Sequence, residues 1–478
     1  VRRGIAVCIL SGALVACGAR AERRGATVLY ASGADLQTIN PLFTIHPLAK
    51  QVQKFLLLTT LARYDSALRP IPYLARAWEW SADRRVLTLR LRRDVRWHDG
   101  TATTARDAAW TIDAARDPAT GYPRAADLAA VTSVAAPDES TLVVRFAAPP
   151  AAFPDVLTDL AIVPARYLDT VPRASLRHAA WNERPVGNGP FRFVTHEPNR
   201  RWVFAANQDF PASLGGPPAL SRFVVVVVDE PLTKLTALSG GELDVAGINP
   251  AHAEFVRRDP RLAVVDYPVL FVNGLVFNTR RPPFDDRRVR LAAALAIDRR
   301  EIVDGYLFGF GTPATGPVPP GIPGALPPPD LPLAPDSARR LMRGVPVAFE
   351  LLTVGSGEAA LEQMLQARLG AAGFRVTIRQ LELSAFLDRV YGPRHDFDAA
   401  VLGVPGDIGL GYLGSLLTLT GMPASADPAA AQRTFLDSVP VAFLYHGRGL
   451  QGITRRLRNV AMDLRGELVT AAAWRIGE

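Results

Sequence analysis

The alternation of strand-like and helix-like segments predicts an α/β protein, and three observations carry that expectation. Phe223 to Val228 is a short, unbroken apolar run of the kind shown by a strand buried on both faces, and it leads through a helical stretch at Leu235 to Leu238 to a stop at Gly240-Gly241. Val345 to Thr353, Glu358 to Ala371 and Phe374 to Leu381 then read as strand, helix, strand. With 478 residues, 48% of them hydrophobic, the chain is long enough for two or three packed domains.

Taken in order, the opening residues read as a targeting signal rather than a fold element. Arg2-Arg3 precedes an apolar run from Ile5 to Ala16. That run is too short to span ~30 Å of hydrocarbon, which takes about 20 residues, but it suits the core of a signal peptide. Arg2-Arg3 lacks the flanking pattern of a twin-arginine signal, which favours the general export route. The segment Leu14-Val15-Ala16-Cys17 resembles the bacterial lipobox. The resemblance implies acylation of Cys17, cleavage directly before it, and attachment to a membrane through several acyl chains, since a single chain binds only marginally. An ordinary secretory signal with an incidental cysteine is the alternative. Cys8 lies inside the signal and would leave with it, so no cysteine chemistry is expected in the mature domain.

Residues 18–26 are small and polar, a tether, and Val28-Leu29-Tyr30 reads as the first strand. Val86 to Leu91 alternates as a half-buried strand does, and His98-Asp99-Gly100 is a turn in which glycine accepts positive φ. From Thr104 the period changes: Ala105, Ala108, Ala109 and Ile112 share one side and Arg106, Asp107 and Asp113 the other, an amphipathic helix behind a threonine cap. A further block opens with a strand at Leu270 to Asn278 and a helix from Arg288 to about Leu307. Ten prolines between Gly311 and Pro335 predict an extended, rigid loop. No internal repeat, heptad array or second membrane-spanning apolar stretch is present in the sequence.

The net charge of +8 falls to +6 without Arg2 and Arg3, and only Lys50, Lys54 and Lys234 among 54 basic residues are lysines. Arginines are interleaved with acids, as in Asp285-Asp286-Arg287-Arg288, so no basic face suited to nucleic acid is expected. The seven histidines, His46, His98, His178, His196, His252, His395 and His446, include no pair at metal-ligand spacing. No G-x-S-x-G elbow, Walker lysine or dinucleotide fingerprint occurs, and Ser356 in Gly355-Ser356-Gly357 has no base implied by position. The expectation is a protein that is not an enzyme and carries no metal or cofactor.

Four stretches in chain order resemble the bacterial extracellular solute-binding proteins of family 5, the peptide and nickel type. They are Leu61-Ala62-Arg63-Tyr64-Asp65 through Pro70-Ile71-Pro72-Tyr73-Leu74-Ala75 to Trp78; Leu91 to Thr101 with Thr104-Ala105-Arg106-Asp107; Pro185-Val186-Gly187-Asn188-Gly189-Pro190-Phe191; and Phe277-Asn278-Thr279 with Pro282 to Arg290, Ala296-Ile297-Asp298-Arg299 and Gly311-Thr312-Pro313-Ala314. Together they cover most of residues 28–320. Physically most of these residues read as framework, setting turns and helix starts. The resemblance implies a class II periplasmic-binding-protein fold of three lobes that closes as a venus flytrap. Lobe I is expected from 27–45, 166–266 and 441–478, lobe II from 46–165, and lobe III from 267–440. Hinges are expected near Tyr267 to Asn273 and Pro440 to His446.

In peptide-binding members an aspartate within a Gly-Trp-x-x-Asp-Tyr run takes the ligand's α-ammonium, and the matching run here is Gly403-Val404-Pro405-Gly406-Asp407-Ile408. Asp407 is the carboxylate so implied, although Val404 replaces the tryptophan and Ile408-Gly409-Leu410-Gly411-Tyr412 replaces the usual Tyr-x-x-Pro. Asn40 and Asn273 are candidates for amide hydrogen bonds to a peptide-like backbone, and Tyr30, Trp97 and Tyr412 for aromatic walls. The stretch from Gly421 to Pro440 is shorter than relatives generally have. The function implied is the binding component of an ABC importer, a monomer delivering a short peptide or similar solute to a permease. A non-transport lipoprotein of chaperone-like or signalling role is the alternative, and a hydrolase the remote one.

Overall fold

The computed structural model describes residues 26–44, 46–355, 357–425 and 427–477. Cys8, Cys17 and Ser356 lie outside them. In chain order the strands are β1 (Thr27–Ser32), β2 (Ala62–Tyr64), β3 (Pro70–Pro72), β4 (Ala75–Trp80), β5 (Val86–Leu91), β6 (Val131–Asp138), β7 (Thr141–Phe146), β8 (Phe191–Glu197), β9 (Arg201–Ala206), β10 (Arg222–Val227) and β11 (Val245–Gly247). They continue with β12 (Leu262–Phe277), β13 (Gly311–Pro313), β14 (Val347–Val354), β15 (Phe374–Leu381), β16 (Ala399–Pro405) and β17 (Val441–Thr454).

The main sheet runs β15-β14-β16-β12-β17-β11-β1-β10-β9-β8, with β13 on the side of β17. Its halves are each α/β in character: β1 is parallel to β10 and β11, and β14 is parallel to β15 and β16. The apolar run of β10 is central, and Phe223, Val224 and Val225 are buried as its composition predicts. β12 and β17, of 16 and 14 residues, pass through both halves as an antiparallel pair. Their ladder is interrupted between Pro268 and Val272 and again at Asn273 and Gly274. Pro268 has no N–H to donate, which accounts for the break in an otherwise continuous pair.

A separate sheet, β4-β5-β7-β6, lies beside the first half. The helix Ala105–Arg116 packs on it behind a capping box in which Asp107 Oδ2 accepts from the Thr104 N–H at 2.9 Å. One apolar core runs without interruption from Val28 through this small sheet to Trp474, so residues 46–165 share their interior with the first half of the main sheet. The second half has its own two clusters, one on each face.

Two glycines of the Pro185 to Phe193 motif explain themselves sterically. A Cβ on Gly187 or Gly189 would strike the backbone of Leu56 and Leu57, in the π-turn Gln53–Leu57. His98 ties the same loop down: its Nδ1 accepts from the Gly187 N–H at 3.2 Å and its Nε2 lies 3.0 Å from the Gly189 carbonyl. These motif residues are framework.

The helix expected from Arg288 to Leu307 is two pieces. Arg287–Ala296 ends at Ile297, and Asp298 restarts the chain by accepting from the Glu301 N–H at 3.0 Å, ahead of a π-turn at Ile302–Tyr306. The proline-rich stretch is irregular apart from β13, and the segment from Gly421 to Pro440 contains the helix Pro428–Ser438, capped by Asp427. Among the described residues no helix is long and apolar enough to cross a membrane.

Candidate ligand-binding site

Asp407 stands where β16 ends. The Gly406 N–H donates to the Leu270 carbonyl at 2.7 Å, and the chain then turns so that Asp407 Oδ1 and Oδ2 accept from the N–H groups of Gly411 and Tyr412, each at 3.0 Å. The carboxylate thus caps the helix Tyr412–Thr420, whose N-terminus favours a negative charge. It is half-buried and, among the described residues, has no arginine or lysine ion pair. Burial and the neighbouring Asp155 charge push its carboxyl above its ordinary range, against the pull of Arg124 and the two N–H donors.

Of the glycines that follow Asp407, Gly409 is a packing requirement. A Cβ on Gly409 would lie 2.8 Å from Asp155 Cβ, and one on Gly411 would lie 3.4 Å from Asp127 Oδ1. The loop therefore rests directly on residues 127 and 155 with no space for a side chain at 409. This gives a physical reason for glycine at 409.

The facing wall is a charge network. Arg124 spans Asp127, Asp155 and Asp159 at 2.6, 3.0 and 2.8 Å. Lys50 and Lys54 reach the two oxygens of Asp159 at 2.9 and 2.8 Å. Burial alone would raise the Asp159 carboxyl, but Lys54, Lys50 and Arg124 hold it well below the usual carboxylate range. Tyr64 donates its hydroxyl to Asp155 Oδ1 at 3.0 Å. The loop at β2–β3 extends the contact: Leu68, at φ +57°, is buried in the apolar cluster of the sheet's second half.

Of the residues singled out in the sequence, Asp407 and Tyr412 come together. Tyr412 lies beside Gly406 and donates its hydroxyl to the Pro317 carbonyl at 2.7 Å. Half-buried Asn273 sits on β12 between Gly403 of β16 and Tyr445 of β17. Three others are placed elsewhere. Asn40 is fully buried, with its Nδ2 donating to Asn182 Oδ1 at 2.7 Å and its Oδ1 accepting from the Leu42 N–H at 3.0 Å, so its amide serves the fold. Trp97 is a core residue whose indole N–H donates to Asp107 Oδ2 at 3.3 Å. Tyr30 is buried as well, stacked on Phe223 and joined to a polar group around Glu467. Arg124, Asp155 and Asp159 were not singled out in the sequence, and Tyr64 appeared there only within a family-like framework stretch. The one signal was Lys50 and Lys54, two of only three lysines, four residues apart.

The three-dimensional likeness is to solved binding proteins. The ABC transporter substrate-binding protein CtaP of Listeria monocytogenes superposes with a TM-score of 0.83 at 17% identity, covering 95% of this chain and 100% of that one. The fold is therefore that of the class II periplasmic binding proteins. The model of the bacterial extracellular solute-binding proteins, family 5, matches residues 69–413. The chain belongs to this family. Within it, the di/tripeptide-binding protein 4 of Pseudomonas aeruginosa is 31% identical over 378 residues, 71% of this chain and 68% of that protein. A putative ABC transporter peptide-binding protein of Brucella ovis is 32% identical over 256 residues, 53% of this chain. The chain spans about half the length of that relative, 48%.

Proposed function

We propose that this family-5 chain is the substrate-binding component of an ABC importer. It captures a short peptide, or a cationic or zwitterionic solute of similar size, between its lobes and delivers it to a permease. The observation that supports the reading is Asp407, a half-buried carboxylate just beyond the end of β16 with no ion partner among the described residues, on a loop packed against Asp155. A carboxylate in that setting favours an ammonium through a charge-assisted hydrogen bond, stronger than a neutral one because water is kept away. The names of the Brucella and Pseudomonas relatives support a peptide.

The lobe boundaries that suit this reading are 27–45, 166–266 and 441–478 for lobe I, 46–165 for lobe II and 267–440 for lobe III, with the hinge where the β12–β17 ladder is interrupted. Closure is then driven by contacts the solute makes better in the closed state than in the open one. Tyr412 flanks the anchor, and Asn273, on β12 beside Gly403, is a further candidate for an amide hydrogen bond to the solute. Cys17 carries the lipid that holds the monomer at the outer face of a membrane, near its permease. Isothermal titration with Ala-Ala tests the anchor. Asp407→Asn is expected to cost about 2 kcal/mol, roughly 30-fold in Kd, and an unchanged Kd sinks the assignment. Native mass spectrometry of protein from its own host identifies the cargo.

A further inference from the structure

Two bodies with separate interiors meet at Asp407. Its loop belongs to the second half of the main sheet, where Leu410 and Leu413 are buried in that half's own cluster. Arg124, Asp127 and Asp155 belong to the segment whose Leu128, Val156 and Leu157 sit in the other core. The point at which a Gly409 Cβ would stand lies 3.3 Å from the Asp155 carboxyl carbon and 3.4 Å from Asp407 Oδ1. The corresponding point at Gly411 lies 3.4 Å from Asp127 Oδ1 and 3.7 Å from Asp407 Oδ2. Carboxylates of the two bodies therefore converge across this contact.

The body that faces Asp407 is already balanced. Arg124, Lys50 and Lys54 pair with Asp127, Asp155 and Asp159, three cations against three carboxylates. Tyr64 donates to Asp155, and burial keeps its hydroxyl and that of Tyr122, beside Asp159, protonated. Asp407 joins this set as a fourth carboxylate and, among the described residues, brings no arginine or lysine with it. On its own side it has the N–H groups of Gly411 and Tyr412, at the start of the helix Tyr412–Thr420. Those donors belong to the same loop and stay with it whether the bodies touch or part, so they do not offset the approach to Asp155. Contact leaves one negative charge in excess and partly withdrawn from water, which opposes it. Leu68, buried in the cluster of the second half, favours it.

We propose that Asp155 gates closure of the cleft by charge: it holds off the Asp407 loop until the negative charge of Asp407 is neutralised, by an ammonium group of the solute or by a proton. Asp155 is then a positioning residue that turns recognition of a cation into closure. This rests on the reading of Asp407 as the solute's anchor and deepens it, since a solute of the same size without a cation would leave the repulsion in place. Burial and the Asp155 charge raise the Asp407 carboxyl above its ordinary range in the contact. The closed form thus holds a proton better than the open form, and closure strengthens as pH falls. An ammonium needs the ionised carboxylate, so in mildly acidic solution it displaces that proton, and binding releases up to about one proton.

Small-angle scattering of the solute-free chain from about pH 7 down to about pH 5 tests the gate. The radius of gyration is expected to shrink as pH falls in wild type. In Asp155→Asn and Asp407→Asn, each lacking one of the opposed charges, it is expected to be small throughout. Asp407→Asn lies on the other body and covers the case in which Asp155→Asn, deprived of its pair with Arg124, fails to fold. A wild-type radius indifferent to pH, or a shrinkage that persists unchanged in Asp407→Asn, overturns the gate. Isothermal titration with Ala-Ala between about pH 4.5 and pH 6, in two buffers of different ionisation enthalpy, then counts protons. Wild type is expected to release a proton and to weaken in Kd toward about 10-fold per pH unit as pH falls, and Asp407→Asn to do neither. Tight binding without proton release overturns the gate and leaves the anchor standing. Failure of wild type to bind Ala-Ala overturns the peptide reading, while the scattering still decides the gate.

Discussion

Replacing Gly409 with alanine tests whether the contact between the Asp407 loop and Asp155 is a seam that opens. The added Cβ would stand 2.8 Å from Asp155 Cβ and 3.3 Å from its carboxyl carbon. Carbon atoms in contact prefer about 3.5–4.0 Å, so the overlap is about 1 Å. Gly409 is not in the left-handed region, and alanine adds no backbone strain there. The atom it strikes is Asp155 Cβ, fixed to the backbone and unable to swing aside. Asp155 is further held by Arg124 and Tyr64. Relief comes only from moving the two bodies apart. Overpacking of this size costs about 1–3 kcal/mol, and if the closed state alone bears it, the closed-to-open ratio falls roughly 5–150-fold. Titration with Ala-Ala is expected to show a weaker Kd by that order, and small-angle scattering a larger radius of gyration, with an unchanged melting midpoint because neither core is touched. Gly411→Ala is the control, since its Cβ would meet Asp127 Oδ1 at 3.4 Å, an ordinary contact. A lower melting midpoint with unchanged affinity would show that the contact is permanent interior and refute the reasoning.

Two further predictions concern the framework. Burial pushes His98 down to about 4, against its bond to the Gly189 carbonyl, and burial does the same to His446. An unfolded histidine titrates near 6.5, so both are neutral in the fold and their contribution is fully present above that pH. It is lost as pH falls from about 6.5 toward 4, roughly 3 kcal/mol for each. Scanning calorimetry is expected to show a steep fall of the melting midpoint across that window, less steep in His98→Gln, and a flat profile would contradict it. Gly187→Ala drives a Cβ into the Leu57 carbonyl oxygen and to within 2.9 Å of His98 Cε1. A loss of about 3 kcal/mol is expected in urea unfolding, and an unshifted midpoint would mean that the π-turn yields at no cost.

Much of the fold was legible because local pattern and burial agree. The continuous apolar run of β10, the alternation of β5 and the small-residue face of the helix behind Thr104 each appear where the sequence places them. Errors fell where a side chain intervenes. The alanine-rich stretch after Arg287 reads as one helix, but Asp298 caps a new start and divides it. The site was less legible. Asparagine and tryptophan are equally at home in a binding wall and in a core, and only their partners decide: Asn182 and Leu42 for Asn40, Asp107 for Trp97.

The sequence by itself determined the family and the α/β class, because turns, glycines and apolar periods are local and survive as motifs, and it nominated Asp407 by resemblance. Only the tertiary structure decided what faces that carboxylate. Arg124 and Asp155 each lie more than 250 residues from Asp407 in the chain, and they act on it through the burial and charge that folding imposes. The opening Ile408-Gly409-Leu410-Gly411, read in the sequence as a departure from the family pattern, becomes in three dimensions the space that lets Asp155 approach Asp407.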